Sequence, residues 1–250
     1  DLLIDLHKPA DRQGPGGDAE TNLALELARV DQSAPLKIAD IGCGTGASTL
    51  VLAQNLNAQI TAVDFIQEFL DVLEVNAKNL GLSEKISTWA GSMEALSFGK
   101  ETLDVIWSEG AIYNMGFERG VQYWKRFLKP DGLLVVSEIT WITANRPADI
   151  QDYWVQEYPE IDVASAKIRI LEQHGYAPVG YFTLPENCWL ENYYRPMQDR
   201  FEEFLRRHRY SADAQTLVAA EKQEIDLYER YKDFYSYGVY AARKIAEETL

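Results

Sequence analysis

The stretch Asp40-Ile41-Gly42-Cys43-Gly44-Thr45-Gly46 decides the reading of this 250-residue chain. It follows a short apolar run, Lys37 to Ile41, and opens a longer amphipathic stretch that ends at Leu56. Three glycines at alternate positions allow positive φ in a tight turn and let the backbone come close to a ligand. The same change from short apolar run to amphipathic stretch repeats downstream. Gln59 to Val63, Lys85 to Ala90, Leu103 to Ser108 and Leu133 to Ile139 read as strands. Gln67 to Asn79, stopped by Gly81, and Phe117 to Phe127 read as helices, and Lys129-Pro130-Asp131-Gly132 reads as the turn before the fifth strand. Strands alternating with helices imply βαβ units and a parallel sheet covered on both faces.

Outward from this core, Ala10 to Asp18, with Gln13-Gly14-Pro15-Gly16-Gly17 at its centre, cannot continue a helix and reads as a loop. A helix over Ala19 to Val30 follows it. Beyond Trp141 the spacing predicts two helical stretches within Ala148 to Gln173, separated near Pro159, and a sixth strand at Val179 to Leu184. Helices at about Leu190 to Arg207 and Ala212 to Phe234 then precede a last strand, Tyr235 to Ala242. The expectation is one α/β domain over 1–250, with a Rossmann-like, mostly parallel seven-stranded sheet and helices on both faces. Residues 1–34 form an N-terminal lid and helix, and 35–140 the cofactor-binding core. Residues 141–250 complete the core and carry a helical cap inserted at about 185–234.

Composition narrows the function. Hydrophobic residues make up 46% and charged residues 25%, which excludes a disordered, collagen-like or disulfide-scaffold chain. Thirty-nine acidic against 24 basic residues give a net charge of −15, which opposes contact with phosphate backbones and argues against nucleic acid as a partner. Cys43 and Cys188 are the only cysteines and form no CxxC pair, so a structural zinc site is not expected and a reducing cytoplasm fits. No run reaches the ~18 apolar residues of a membrane span, and Asp1-Leu2-Leu3-Ile4-Asp5-Leu6 is too short and acidic for a signal peptide. The chain reads as cytoplasmic. Exposed apolar surface on the insertion would point to a homodimer.

The glycine turn admits two cofactors. Gly42, Gly44 and Ala47 fit G-x-G-x-x-A, the dinucleotide fingerprint. About 18 residues past Gly46, Asp64 ends the second strand, where an acid accepts hydrogen bonds from ribose hydroxyls. Asp40, two residues before the first glycine, suits a different ligand, with a cationic and donor-rich end. On this reading an NAD(P)-dependent oxidoreductase and a non-catalytic cofactor-binding protein both remain alternatives.

Asp-x-Gly-x-Gly-x-Gly after the first strand resembles motif I of class I S-adenosylmethionine-dependent methyltransferases. Further matches come in order: Asp64, then Gly91-Ser92-Met93-Glu94-Ala95-Leu96-Ser97-Phe98, Leu103-Asp104-Val105-Ile106-Trp107-Ser108 and Leu128-Lys129-Pro130-Asp131-Gly132. Together they cover roughly residues 37 to 140. The leader Arg12-Gln13-Gly14-Pro15-Gly16 and the run Ser108-Glu109-Gly110-Ala111-Ile112-Tyr113-Asn114 resemble a bacterial small-molecule group within that family.

The resemblance implies S-adenosylmethionine as cofactor, with Gly42, Gly44, Thr45 and Gly46 along its methionine part and Asp40 near its amino group. It places Asp64 on the ribose and Phe65 against the adenine, with Gly91, Ser92 and Met93 bordering the adenine and Ser108 in the floor beside the methyl. Ser92 stands where the family commonly has an acid. Gln13 and Gly14 would belong to a leader folding over the cofactor.

Methyl transfer is an in-line displacement whose reactive group comes from the cofactor, so the protein mainly aligns and dehydrates. Ser108-Glu109-Gly110-Ala111 stands where Asn/Asp-Pro-Pro-Tyr would mark amino methylation of nucleobases or glutamine. None of His7, His174 and His208 follows the fourth or fifth strand, and no convincing set of metal ligands is present. The candidates near the pocket mouth are therefore Glu109, as base or charge partner, and Tyr113. Tyr113 and Asn114 would orient a small-molecule acceptor, with Trp141 as a wall and Trp189 and Tyr194 from the insertion as further lining. Glu138 lies in the same region.

Overall fold

In the computed structural model, which describes residues 2–246, β1 (Leu36–Ile41) lies between β2 (Ala58–Asp64) and β4 (Leu103–Ser108). The sheet order is β3-β2-β1-β4-β5-β8-β7, with β3 at Ile86–Ala90, β5 at Leu128–Trp141, β7 at Tyr176–Thr183 and β8 at Tyr235–Lys244. The first five strands pair in parallel, and β8 runs antiparallel to both β5 and β7. Strand order reverses at β1, which neighbours both β2 and β4. The crevice at the carboxyl ends of open α/β strands, where such a reversal occurs, is where ligands bind.

Strand side chains alternate between two cores. Val105, Trp107, Leu133 and Val135 join one cluster with Ala24, Leu25 and Ala28 of α2 (Asp18–Ala28) and Leu52 and Ala53 of α3 (Ala47–Asn55). Ile106, Leu134 and Val136 join the other, with Phe117, Val121 and Trp124 of α5 (Phe117–Trp124). Helix α4 (Gln67–Asn79) turns Phe69, Leu70, Leu73 and Ala77 inward and ends before Gly81, whose φ of +70° stops it. Each such Leu, Val, Ile or Phe side chain, fully buried, contributes about 1.5–3 kcal/mol.

The cap is built from α1 (Leu2–His7), which packs on α9 (Arg195–Arg207) and α10 (Ala212–Tyr231). α6 (Ala148–Glu157) and α7 (Ala164–Gln173) precede β7, and α8 (Glu186–Trp189) passes into α9 through a π-helical turn, Leu190–Tyr194. Among the described residues no helix is long and apolar enough to cross a membrane.

Three details differ from the sequence reading. The sheet has eight strands rather than seven, because two-residue β6 (Asp162–Val163) pairs with Thr140 and Trp141 at the end of β5. Strand β5 begins at Leu128, and Lys129 to Gly132 form a bulge inside it. Val105 pairs two residues after Leu103, but Leu133 pairs five after Leu128, with Asp131 at φ +61°. Helix α1, six residues long, is too short to show a periodicity.

Candidate functional site

At the carboxyl ends of β1, β2 and β4 lies a cavity of about 660 Å³, closed on the far side by α1, α10 and the π turn. The glycine turn forms its floor. Gly42 and Gly44 line it with φ of +74° and +55°, and Gly44 is covered by the Gln13 side chain, whose Oε1 a Cβ at 44 would strike. Gly46 faces away, against Leu73 of α4, so its missing side chain serves helix packing.

Asp64 ends β2 in the cavity wall and accepts the Gly44 N–H at 2.8 Å and the Ile66 N–H at 2.9 Å. Its carboxylate has further lone pairs for a ligand hydroxyl, and burial raises its pKa. Phe65 beside it is 80% exposed, an aromatic face with no protein cover. Gly91, Ser92 and Met93 continue that wall. Asp40 lies beneath the turn, fully buried. Burial pushes it up to about 7 against hydrogen bonds from Thr49 at 2.6 Å and Ser48 at 2.9 Å. Its Oδ1 has no partner, and Ser48 is the neighbour that reaches the cavity.

The leader crosses the opening and is latched at two points. Gln13 Oε1 accepts the Thr45 N–H at 2.7 Å, and the Thr45 hydroxyl reaches the carbonyls of Ala10 and Asp11. Arg12 forms an ion pair with Glu109 at 3.0 Å and with Asp18 at 3.1 Å. Glu109 Oε1 also accepts from Trp107 Nε1 at 2.9 Å and from Thr21 Oγ1 at 2.8 Å. Both oxygens of Glu109 are therefore occupied. The residue expected as base or charge partner stands as the anchor of the leader.

Gln13, Gly14, Tyr113 and Asn114 line the same cavity. Asn114 is held by its own turn through Nδ2 to the Ala111 carbonyl at 3.0 Å, and Tyr113 meets Tyr158 edge-on at 6.1 Å. Glu109 lines it too, whereas Thr45, Ser108, Trp141, Trp189 and Tyr194 lie outside the lining. Ser108 is buried with its Oγ unpartnered. Trp141 packs under Arg146, 4.2 Å away, and against Tyr235. Trp189 stacks on Tyr228 and Tyr237 and donates to Ser236 Oγ at 2.8 Å. Tyr194 is buried with its hydroxyl on Glu224 at 2.9 Å. As substrate-lining residues these three aromatics are corrected: they are buried in the hydrophobic core, Trp141 at the end of β5 and Trp189 and Tyr194 beneath the cap helices. Tyr193, one position earlier in the π turn, lines the cavity instead. Adjacent helical residues point about 100° apart, so a one-residue error in reading the insertion exchanges core for wall. Glu138 is buried on Lys167 at 3.2 Å, away from the cavity.

Sequence reasoning missed His7, Glu221 and Glu224. They come from α1 and α10, elements far apart in the chain with no motif to join them. Arg12 had a signal, since it opens the leader motif. Among the described residues no group of metal-ligating side chains occurs.

Residues 38–132 match the family model described as Methyltransferase domain. An uncharacterized methyltransferase of Bacillus subtilis (strain 168) is 30% identical over 135 residues, 54% of this chain and 56% of that protein. A SAM-dependent methyltransferase from Geobacter sulfurreducens, solved with S-adenosyl-L-homocysteine, superposes with a TM-score of 0.84 at 16% identity, covering 96% of both chains. The [4+2]-cyclase SpnF superposes with a TM-score of 0.77 at 21% identity, covering 98% of this chain and 92% of that one. These likenesses show a Rossmann-like fold over nearly the whole chain. The matches to the first curated relatives span about half of those proteins or less.

Proposed function

We propose that the chain is an S-adenosylmethionine-dependent methyltransferase acting on a small-molecule nucleophile. The observation that carries the reading is one cavity, of a size usual for small-molecule sites, shared by the glycine turn, Asp64, Phe65 and the cap residues Tyr193 and Glu224. The family match to residues 38–132 supports it.

The donor set suits this cofactor. Asp64 has lone pairs free for ribose hydroxyls, and the bare ring of Phe65 offers a face for the adenine. Asp40, with an orphaned buried oxygen, and Ser48 suit the amino group of the methionine part. When bound, the cofactor supplies an electrophilic methyl on sulfonium. The chain's own residues bind, orient and exclude water. The Arg12–Glu109 and Gln13–Thr45 latches hold the leader over the turn, and Gly110, its N–H fixed on Ser137 Oγ at 2.7 Å, keeps the wall beside Tyr113 in place. Positioning of this kind accounts for much of the barrier lowering in bimolecular transfers.

Several relatives carry the description protein arginine N-methyltransferase, which favours a protein acceptor as the second reading. The leader and cap that border the cavity favour the small molecule. Methyl-labelled cofactor, incubated with fractionated metabolites and with denatured cell protein, decides between them. Label in a small metabolite supports the proposal, and label only in protein supports the second reading. Tight NAD binding with no affinity for S-adenosylmethionine overturns both.

A further inference from the structure

The cap side of the cavity has a charge arrangement that the cofactor reading leaves unused. Glu221 and Glu224 stand one helical turn apart on α10 and both line the cavity. Glu221 is only 9% exposed yet makes no hydrogen bond, and its nearest partner, His7 Nε2, is 3.6 Å away. Glu224 accepts only the Tyr194 hydroxyl and keeps accessible surface toward the cavity. No Lys or Arg among the described residues pairs with either carboxylate. The other acids in the wall have roles already: Glu109 pairs with Arg12, Glu94 with Arg119, and Asp64 accepts backbone amides and suits the ribose.

Two aromatic rings complete the pattern. Tyr193 and Tyr113 line the same wall, and the Tyr193 ring stacks on His7 at 6.2 Å. Glu221, facing only His7, and Glu224, open to the cavity, offer two carboxylates to an arriving cation, and tyrosine faces attract organic cations. Desolvation and the neighbouring Glu221 raise the Glu224 pKa, against the Tyr194 hydrogen bond and the attraction of His7.

Resting on the methyltransferase reading, we infer that the acceptor is an amine that enters as its ammonium ion, held by Glu221 and Glu224 against Tyr113 and Tyr193. The ammonium gives one proton to the Glu224 carboxylate and becomes the neutral amine. Its nitrogen lone pair then bonds to the methyl carbon while the carbon–sulfur pair stays on sulfur, so the product is the methylated ammonium and the neutral thioether.

The test separates this inference from the reading beneath it. Isothermal titration first measures S-adenosylhomocysteine binding to the full chain; absence of binding there overturns the cofactor reading. The loaded protein is then titrated with choline and with 3,3-dimethylbutan-1-ol, which has the same shape and no charge. Choline is expected to bind at least tenfold more tightly than the alcohol. Glu224→Gln and Glu221→Gln should each weaken choline at least tenfold and leave S-adenosylhomocysteine within twofold, with melting temperatures confirming the fold. Equal binding of choline and the alcohol, no choline binding, or a loss of S-adenosylhomocysteine affinity with choline unaffected overturns the inference. Methyl-labelled cofactor offered with 2-phenylethylamine, sarcosine and ethanolamine, and with the matching alcohols and acids, gives the second readout. Label in the amines supports it, and label only in alcohols or acids overturns it.

Discussion

Glu109→Gln separates an anchor from a base. In the structure Glu109 Oε2 accepts Arg12 at 3.0 Å, with both side chains largely buried at 10% and 18% exposure. The amide keeps an oxygen for Trp107 and Thr21 but turns a donor toward Arg12, which is left with Asp18 and a 3.4 Å bond to Thr21 Oγ1. Losing one charged hydrogen bond in such a setting costs about 2 kcal/mol, which raises the open population of the leader about 30-fold. Hydrogen exchange over residues 8–17 should quicken by that factor, and S-adenosylhomocysteine should leave correspondingly faster. Methyl transfer at saturating cofactor should fall much less. Unchanged leader exchange combined with abolished transfer at saturation would show that Glu109 takes part in the chemistry and would refute the anchor.

Three further outcomes follow from named contacts. Gly44→Val places a branched side chain on Gln13 at a backbone of φ +55°; cofactor affinity by titration should vanish while circular dichroism stays native, and normal binding would move the site elsewhere. Asp40→Asn tests linkage. The folded carboxyl titrates near 7 against about 3.9 unfolded. Its stabilisation is therefore present below pH 4 and is lost as pH rises through 7, by up to about 1.4 kcal/mol per unit. Denaturant unfolding of the Asn variant should lack that decline, and identical pH profiles would contradict the assignment. Trp189→Ala removes a ring stacked between Tyr228 and Tyr237 and should destabilise the chain by about 3–5 kcal/mol in chemical unfolding; a shift below 1 kcal/mol would mean that the ring is not core.

The sequence made the cofactor half of the molecule legible because its parts are local. A strand, a glycine turn and a helix lie within twenty residues, and Asp64 follows at a fixed interval, so periodicity and spacing are enough to place them. Gln67 to Asn79 shows the strength of that signal, since the apolar face of α4 and the stop at Gly81 are both written in the residues. The half proposed to hold the acceptor was not legible. Its wall is assembled from α1, the π turn and α10, separated by nearly the length of the chain, and only tertiary packing joins His7 to Glu221. Aromatic richness around Trp189 and Tyr194 signalled a cluster but not its direction. The π turn shifts the helix phase, so that Tyr193 faces the cavity and Tyr194 the core. Glu109 was conspicuous by position, yet its partner Arg12 sits 97 residues away, and only that contact shows its role as anchor.

The most direct measurement of the central claim is a crystal structure of the full chain with S-adenosylhomocysteine, paired with titration of Asp64→Ala. The account predicts ribose hydroxyls on Asp64, the adenine on Phe65 and the thioether sulfur turned toward Tyr113, with the variant binding about 1–3 kcal/mol more weakly. Ligand density away from the turn at 42–46, or an Asp64→Ala variant with unchanged affinity, would contradict it.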